Sequence, residues 1–530
     1  MLLKIIKRIR NLIKKYIEYN TYNPLRKKYE LILKELVDGS KEKFDGPVVI
    51  DASWDNPNYW YRCSLIRSAL GLNNGYEIGL IGPHRRKYQK GSLKRFKINK
   101  IFDYHKIRLR KNHKLAVSFF YSLKSLEDIF NYKLPYDAPL DLLYDQILKK
   151  QKRPFIDITD KNIIKYTEDF LNCFYAAELL IEKYNPKIFI LSHAIGLYFT
   201  FAWVALKKNI RVIILFGNHG VLRFWNILGT DGIYNFQDRP AFKDYKSLSE
   251  KRKKKFKEVG MAYLNKRFYG KTGDIGSKYA YKMRNMDVDK DKICKQYSWD
   301  KRKKIICLFA SNWFDFPHCY GMKNFKDFYD WIFSTMQIVK ECKDVNWLFK
   351  AHPCDDWYGG YTLKDFFNFN EYPHIKLVLK EWDSNKLIDA IDGIITYHGT
   401  IGIEATCKGK PVLVPDNGWY HDWNFVKVSK SRDDYLRLLK SDWYNNMDIK
   451  KNTELAKVFA GMYWGVVKWQ ENFLLSDDST QWELYRSMPG FIYNNMEKIK
   501  KEINLISEWY KVNVSHYNTY KIMKSDEFIV

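Results

Sequence analysis

Three apolar runs in this sequence end in side chains suited to charge or proton chemistry. The first, 347–350, passes into Ala351-His352-Pro353. Lys350 supplies a fixed positive charge, His352 a donor beside it, and Pro353 presets the turn. Such a pair suits a phosphate or a departing nucleotide. The second run, 393–397, leads into His398-Gly399-Thr400-Ile401-Gly402-Ile403-Glu404-Ala405. Gly399 lets backbone approach a ligand closely. Thr400 is placed to cap a helix while its hydroxyl and the free amides face a phosphate. Glu404, about one turn on, is placed to hold ribose hydroxyls. The third run, 211–216, ends in Gly217-Asn218-His219-Gly220, with Arg223 close behind. A histidine at a strand end between glycines can accept a proton near neutral pH. Asp51 and Asp55, after the earlier run 47–50, are further candidates for the base, and His193, Asn218 and Arg223 for contact with a second substrate. Taken singly, each pattern also fits a plain turn, a capped helix or a structural histidine. The first two reinforce each other because they fall two strands apart in one domain.

The elements that position these residues alternate. Strand signals at 47–50, 76–81, 187–191 and 211–216 enclose helical stretches, including 62–70 and 195–207. Strand and helix then alternate again: strands 304–310, 347–350, 375–379, 393–397 and 411–414, helices 324–341, 385–391 and 401–408. This alternation predicts two doubly wound parallel sheets, and in such sheets ligands bind beyond the carboxyl ends of the strands. The expected division is a basic helical segment (1–40), a first Rossmann-like domain (41–250), a charged helical connection (251–302), a second Rossmann-like domain (303–450) and helices crossing back over both lobes (451–530). Residues 86–165 read as basic, irregular insertions on the first domain.

With 530 residues, 46% hydrophobic and 17% aromatic, the chain can fill more than one core. Its net charge of +29 calls for an anionic partner, be it nucleic acid, lipid or substrate. Residues 2–19 place Leu2, Ile5, Ile6, Ile9, Leu12, Ile13, Tyr16 and Ile17 at helical spacing among six basic residues. That is the pattern of a helix lying in an anionic interface, or of one docked on its own domain with a solvated basic face. The eight cysteines include no C-x-x-C pair, which points to reduced thiols rather than a metal cluster or disulfide framework. Asp287-x-Asp289-x-Asp291 lacks the glycine and glutamate that a calcium loop requires. The uncharged stretch 188–206 contains Ser192, His193, Gly196 and Thr200, and reads as strand, turn and helix rather than a membrane span.

Tyr397-His398-Gly399-Thr400-x-Gly402-x-Glu404-Ala405-x-x-x-Gly409-Lys410-Pro411-Val412, followed by Trp419-Tyr420, resembles the capsule-polysaccharide synthesis family, which includes bacterial β-Kdo transferases. The family's Lys-x-His-Pro signature is matched by Lys350, His352 and Pro353. Its Glu-Asp-Gly turn and Gly-Ile-Tyr-Tyr stretch are matched loosely by Asn218-His219-Gly220 and Gly232-Ile233-Tyr234-Asn235. The resemblance covers residues 187–240 and 346–422. It implies an α/β protein of GT-B architecture, inversion at the anomeric carbon, no essential metal, and a CMP-activated acidic sugar as donor. Two positions depart from the family: His219 stands where the family has its catalytic carboxylate, and His398-Gly399-Thr400 where it usually has a serine. The expected activity is glycosyl transfer from a nucleotide sugar to a glycan or lipid-linked glycan acceptor, in capsule or lipopolysaccharide synthesis. It would need no further cofactor and would work against an anionic membrane surface, peripherally, on the cytoplasmic face of the inner membrane. Polyol-phosphate transfer of the teichoic-acid type is the nearest enzymatic rival, a nucleotide-sugar epimerase a more distant one. Nucleic-acid binding is disfavoured because the charge is spread along the chain and no binding motif stands out.

Overall fold

The computed structural model describes residues 23–39, 43–54, 56–73, 75–83, 86–216, 222–234, 239–272, 277–282, 286–355, 360–465, 481–512 and 514–524. The basic segment 2–19, Asp55, Asn218 and His219 lie outside the described residues.

Two six-stranded sheets organise the chain. The first contains β1 (Val48–Asp51), β2 (Glu77–Ile81), β3 (Lys100–Asp103), β4 (Ile188–Leu191), β5 (Arg211–Phe216) and β6 (Arg223–Ile227), in the order β3-β2-β1-β4-β5-β6. The second contains β7 (Lys304–Phe309), β8 (Val345–Lys350), β9 (Ile375–Leu377), β10 (Gly393–Thr396), β11 (Val412–Val414) and β12 (Lys427–Val428), in the order β12-β11-β10-β7-β8-β9. Counted within its own sheet, each has the Rossmann order 3-2-1-4-5-6. All pairings are parallel except β5 with β6. Strands such as β1 and β4 are buried throughout because helices cover both faces, which is why they read as unbroken apolar runs. Two Rossmann-like domains in one chain are what the expected GT-B architecture requires.

The helices that bear on the site are α1 (Pro57–Ala69), α2 (Leu140–Gln151), α3 (Asn162–Tyr184), α4 (Tyr198–Lys207), α5 (Glu250–Phe268), α6 (Phe328–Val339), α7 (Ile401–Cys407), α8 (Ile449–Trp464), α9 (Gln481–Asn494), α10 (Met496–Val512) and α11 (Tyr517–Lys524). Helix α6 starts later than the apolar pattern suggests because Asp327 caps it, accepting from the Asp330 amide at 2.8 Å. Stretch 188–206 is a strand, a turn and α4, and no described helix is long and apolar enough to cross a membrane. Residues 86–165 are not irregular: they contain β3, α2 and further helices. The edge strand β3 is only four residues long, with Lys100 exposed, so it carries little apolar signature.

The lobes are pinned together by buried polar contacts from α2. Asp145 accepts from the backbone amides of His318 and Cys319 at 3.0 and 3.1 Å and pairs with the His318 ring at 2.7 Å. Burial would lower the His318 pKa, but the Asp145 carboxylate outweighs it and leaves the ring raised. Tyr144 donates to Asp327 at 2.5 Å, and nearer the surface a half-exposed pair adds to these, Lys149 donating to Asp315 at 3.0 Å. After the second sheet the chain returns. Helix α8 crosses α5 where Gly260 and Gly461 meet, and a Cβ on Gly260 would lie 2.7 Å from the Gly461 nitrogen. Helices α9, α10 and α11 then complete the apolar cluster of the first lobe, adding Leu484, Met488, Ile499, Trp509 and Tyr517 to Ile50, Tyr59 and Ile190.

Candidate functional site

The order of the second sheet reverses between β7 and β10, and the chain leaves both strands at the same end. There lies a cavity of about 440 Å³, within the usual range for small-molecule sites. Lys350, His352, Pro353, His398, Gly399, Thr400 and Glu404 all line it, so residues more than fifty positions apart are brought to one place. Lys350, the last residue of β8, is 4% exposed, its ammonium 5.8 Å from the centre of the Phe309 ring. His352 Nδ1 accepts from the Cys354 amide at 3.2 Å. The proton of the neutral ring therefore sits on Nε2, making His352 a donor on the cavity wall.

The turn 398–402 is propped from beneath. Trp419 donates to the His398 carbonyl and Tyr420 to the Gly399 carbonyl, each at 2.9 Å. Gly402 is required here because any Cβ would collide with the Tyr420 hydroxyl. Gly399 is equally confined, with Thr396 Oγ1 2.8 Å from the position of a Cβ. Burial pushes the His398 pKa down to about 3, so its ring is neutral at physiological pH and contributes no charge to the cavity.

Two expected roles change. Thr400 does not cap α7: its own backbone is already helical (φ −57°, ψ −21°) and its side chain makes no capping bond. Its hydroxyl instead accepts from Arg267 Nη2 at 3.1 Å. Glu404 is 2% exposed rather than open to a ribose. Its Oε1 accepts from Arg267 Nε at 2.6 Å and its Oε2 from the Tyr281 hydroxyl. Arg267 itself lines the cavity and escaped the sequence reading because α5 begins in a lysine-rich run. The signal was present: Phe256, Gly260, Leu264 and Arg267 fall on one helical face, all buried, so the arginine sits on an apolar stripe. Tyr320, Tyr463 and Trp464 complete the aromatic part of the wall.

In the first lobe, Asp51 ends β1 at the corresponding reversal between β1 and β4. It is fully buried and accepts from both the amide and the hydroxyl of Ser53, and from Ser192 N and Oγ at 3.1 and 2.5 Å. Burial raises its pKa, and the four donors oppose that rise. This carboxylate ties β1 to the turn after β4. His193, in that turn, packs against Trp54 with ring centres 4.5 Å apart, and burial pushes its pKa down to about 4. Arg223 opens β6 and is 1% exposed. It turns toward α8, donating to the Tyr463 carbonyl at 2.8 Å with its guanidinium 4.0 Å from the centre of that ring. Among the described residues, no three His, Cys, Asp or Glu side chains gather as a metal-binding group would.

Residues 271–432, which contain every cavity residue named above except Arg267, Tyr463 and Trp464, match the family described as capsule polysaccharide biosynthesis protein. That match covers most of the second lobe and under a third of the chain. No curated protein matches the chain. Among solved structures, the chain is similar to Thermosulfurimonas dismutans KpsC, a beta Kdo 2,4 transferase, at 12% identity. That match covers 52% of this chain and 79% of the other, with a TM-score of 0.35. Anabaena Alr3699/HepE in complex with UDP-glucose matches at 9% identity over 86% and 99% of the two chains, TM-score 0.27. The UDP-GlcNAc 2-epimerase from Neisseria meningitidis bound to UDP-GlcNAc matches at 13% over 85% and 99%, TM-score 0.22. TM-scores this low do not extend a likeness to the site, so the cavity is read from its own side chains.

Proposed function

We propose that this chain is an inverting glycosyltransferase of capsule or lipopolysaccharide synthesis. It takes a nucleotide-activated sugar in the second-lobe cavity and transfers the sugar to a glycan, free or lipid-linked, on the first lobe. The observation that carries this reading is the cavity at the sheet reversal, where Lys350 and His352 from one strand end share a wall with Gly399 and Thr400 from another. As the bond from the anomeric carbon to the phosphate oxygen breaks, negative charge develops on the departing nucleotide. The Lys350 ammonium and the His352 Nε2–H stabilise that charge in a water-poor setting. The acceptor hydroxyl attacks the opposite face of the anomeric carbon and gives its proton to a first-lobe base. His219 and Asp55 are the stronger candidates for that base, since both oxygens of Asp51 already serve the strand ends. In this reading the two side chains do the work a metal would otherwise do, and the donor is the only co-substrate besides the acceptor. A CMP-activated acidic sugar is the first donor to try. The basic stripe of residues 2–19 would hold the enzyme on the inner membrane surface.

Mass spectrometry of the purified protein with CMP-activated acidic sugars, UDP-glucose and UDP-N-acetylglucosamine tests the reading through donor consumption and transfer. His352→Ala should remain folded and lose roughly a hundredfold or more in turnover at saturating donor. A wild-type protein that binds and consumes no nucleotide sugar, or an undiminished His352→Ala enzyme, would overturn it.

A further inference from the structure

The helix that leaves the first lobe carries one arginine into the second-lobe cavity. Arg267 lies in the last turn of α5, outside both sheets, and is 4% exposed. Its plane is set along one edge, Nε donating to Glu404 and Nη2 to Thr400 Oγ1. Glu404 is itself held by the Tyr281 hydroxyl, so the carboxylate that aims the guanidinium is anchored on its far oxygen as well. The guanidinium carbon lies 5.5 Å from the centre of the Trp464 ring, at the end of α8. A buried arginine–carboxylate pair contributes little net stability, because desolvating both charges offsets their attraction. An apolar pair of equal volume would serve packing as well, so the polar arrangement calls for another reason.

The charge inventory of the cavity supplies one. Among the described residues its lining contains two cations, Arg267 and Lys350, and two carboxylates, Glu404 and Asp315. Glu404 is paired with Arg267, and Asp315, half-exposed, with Lys149 from α2, so each carboxylate of the wall already faces a cation. Two buried cations on one cavity wall suit an anionic ligand. A guanidinium also carries its N–H groups in one plane, where paired donors fit two oxygens at once, which an ammonium cannot do; in Arg267 one such edge meets Glu404 and Thr400.

We propose that Arg267 is the phosphate-gripping residue of the donor cavity, with Glu404 and Tyr281 as the pair that positions it. The ligand group is the phosphate of a nucleotide, and the proposal rests on the donor-cavity reading above. Glu404 then acts through Arg267 rather than on a ribose. Because α5 lies outside the second sheet, a phosphate bound here fastens the interlobe connection to the nucleotide.

The test compares UDP and CMP with uridine and cytidine, binding each to wild type, Arg267→Lys and Arg267→Gln by calorimetry or ligand-detected NMR. The lysine variant keeps the charge but loses the fork, and carries the test should the glutamine variant fail to fold. For the preferred base, nucleotide affinity should fall about tenfold in Arg267→Lys and about a hundredfold in Arg267→Gln. Nucleoside affinity should stay within about twofold of wild type, an outcome that a merely structural arginine would not give. If wild type binds nucleotide but the variants lose nucleotide and nucleoside equally, or lose neither, Arg267 does not grip phosphate. If wild type binds neither nucleotide nor nucleoside, the donor-cavity reading itself fails.

Discussion

Asp327 should make the contact between the lobes loosen as pH rises through the mildly acidic range. It is 1% exposed, caps α6 with one oxygen and accepts from Tyr144 of the first lobe with the other. Burial pushes its pKa up to about 6, against the pull of the Tyr144 hydroxyl and the Asp330 amide. An acid whose folded pKa is raised binds its proton more tightly in the native state than in the unfolded chain. Its contribution to stability is therefore greatest at low pH and is lost as pH rises toward the folded pKa. With an unfolded value of about 3.9 the whole swing is about 3 kcal/mol, of which about 2 kcal/mol falls between pH 4.5 and 7.5. Asp327→Asn keeps the shape and an acceptor for the cap but cannot ionise. Relative to wild type it should gain about 2 kcal/mol on going from pH 4.5 to 7.5. Urea unfolding of both proteins at both pH values, followed by tryptophan fluorescence, measures this, and the difference of differences removes every other titrating group. Two proteins that track each other within about 0.5 kcal/mol would refute the burial argument.

Three other expectations follow from particular residues. If His219 is the base, the rate should rise with pH through about 6.5, and His219→Ala should lose both the rise and most of the rate. A fully active His219→Ala enzyme beside a folded, dead Asp55→Asn would move the base to the first strand. Deleting residues 1–19 should release the protein from anionic vesicles while sparing activity on a soluble acceptor; equal vesicle binding by both forms would count against it. Gly461→Ala should destabilise by about 2 kcal/mol despite alanine's better helix propensity. The reason is that its Cβ would collide with the Phe256 carbonyl, only 2.7 Å from the carbonyl carbon, and a neutral thermal melt would show that the helices can part.

What could be read from the chain divides by distance in sequence. Strands β4, β5, β8 and β10 announce themselves because burial on both faces demands continuous apolar side chains, and the residues that follow them fall at the ligand end of a parallel sheet. Lys350, His352, Gly399 and Thr400 were readable for that reason. The role of Asp51 was not, because a carboxylate at a strand end looks available until Ser192, 141 residues away, is seen donating to it. Glu404 misled in the same way, its partners Arg267 and Tyr281 being 137 and 123 residues off. Thr400 followed the statistics of helix starts, but a helical backbone at that position leaves its hydroxyl free to meet Arg267 instead of an amide. Strand β3 was too short and too polar at its exposed end to register.

The return of α9, α10 and α11 to the first lobe bears on how the protein is made. A chain emerging from the ribosome presents the six strands of the first sheet by residue 227, long before the residues that cover it. Leu484, Met488, Trp509 and Tyr517 come roughly 250 residues later, after the second sheet and α8 are complete. At about 5–20 residues per second, that interval is on the order of ten seconds or more. Through it, the apolar face around Tyr59 and Ile190 waits without its final partners, so the lobe synthesised first is the last to close. A nascent chain of this kind has a long window in which a chaperone would find exposed surface on its oldest part. A nonsense mutation near residue 480 would leave the second sheet intact and the first lobe, hundreds of residues upstream, unfinished.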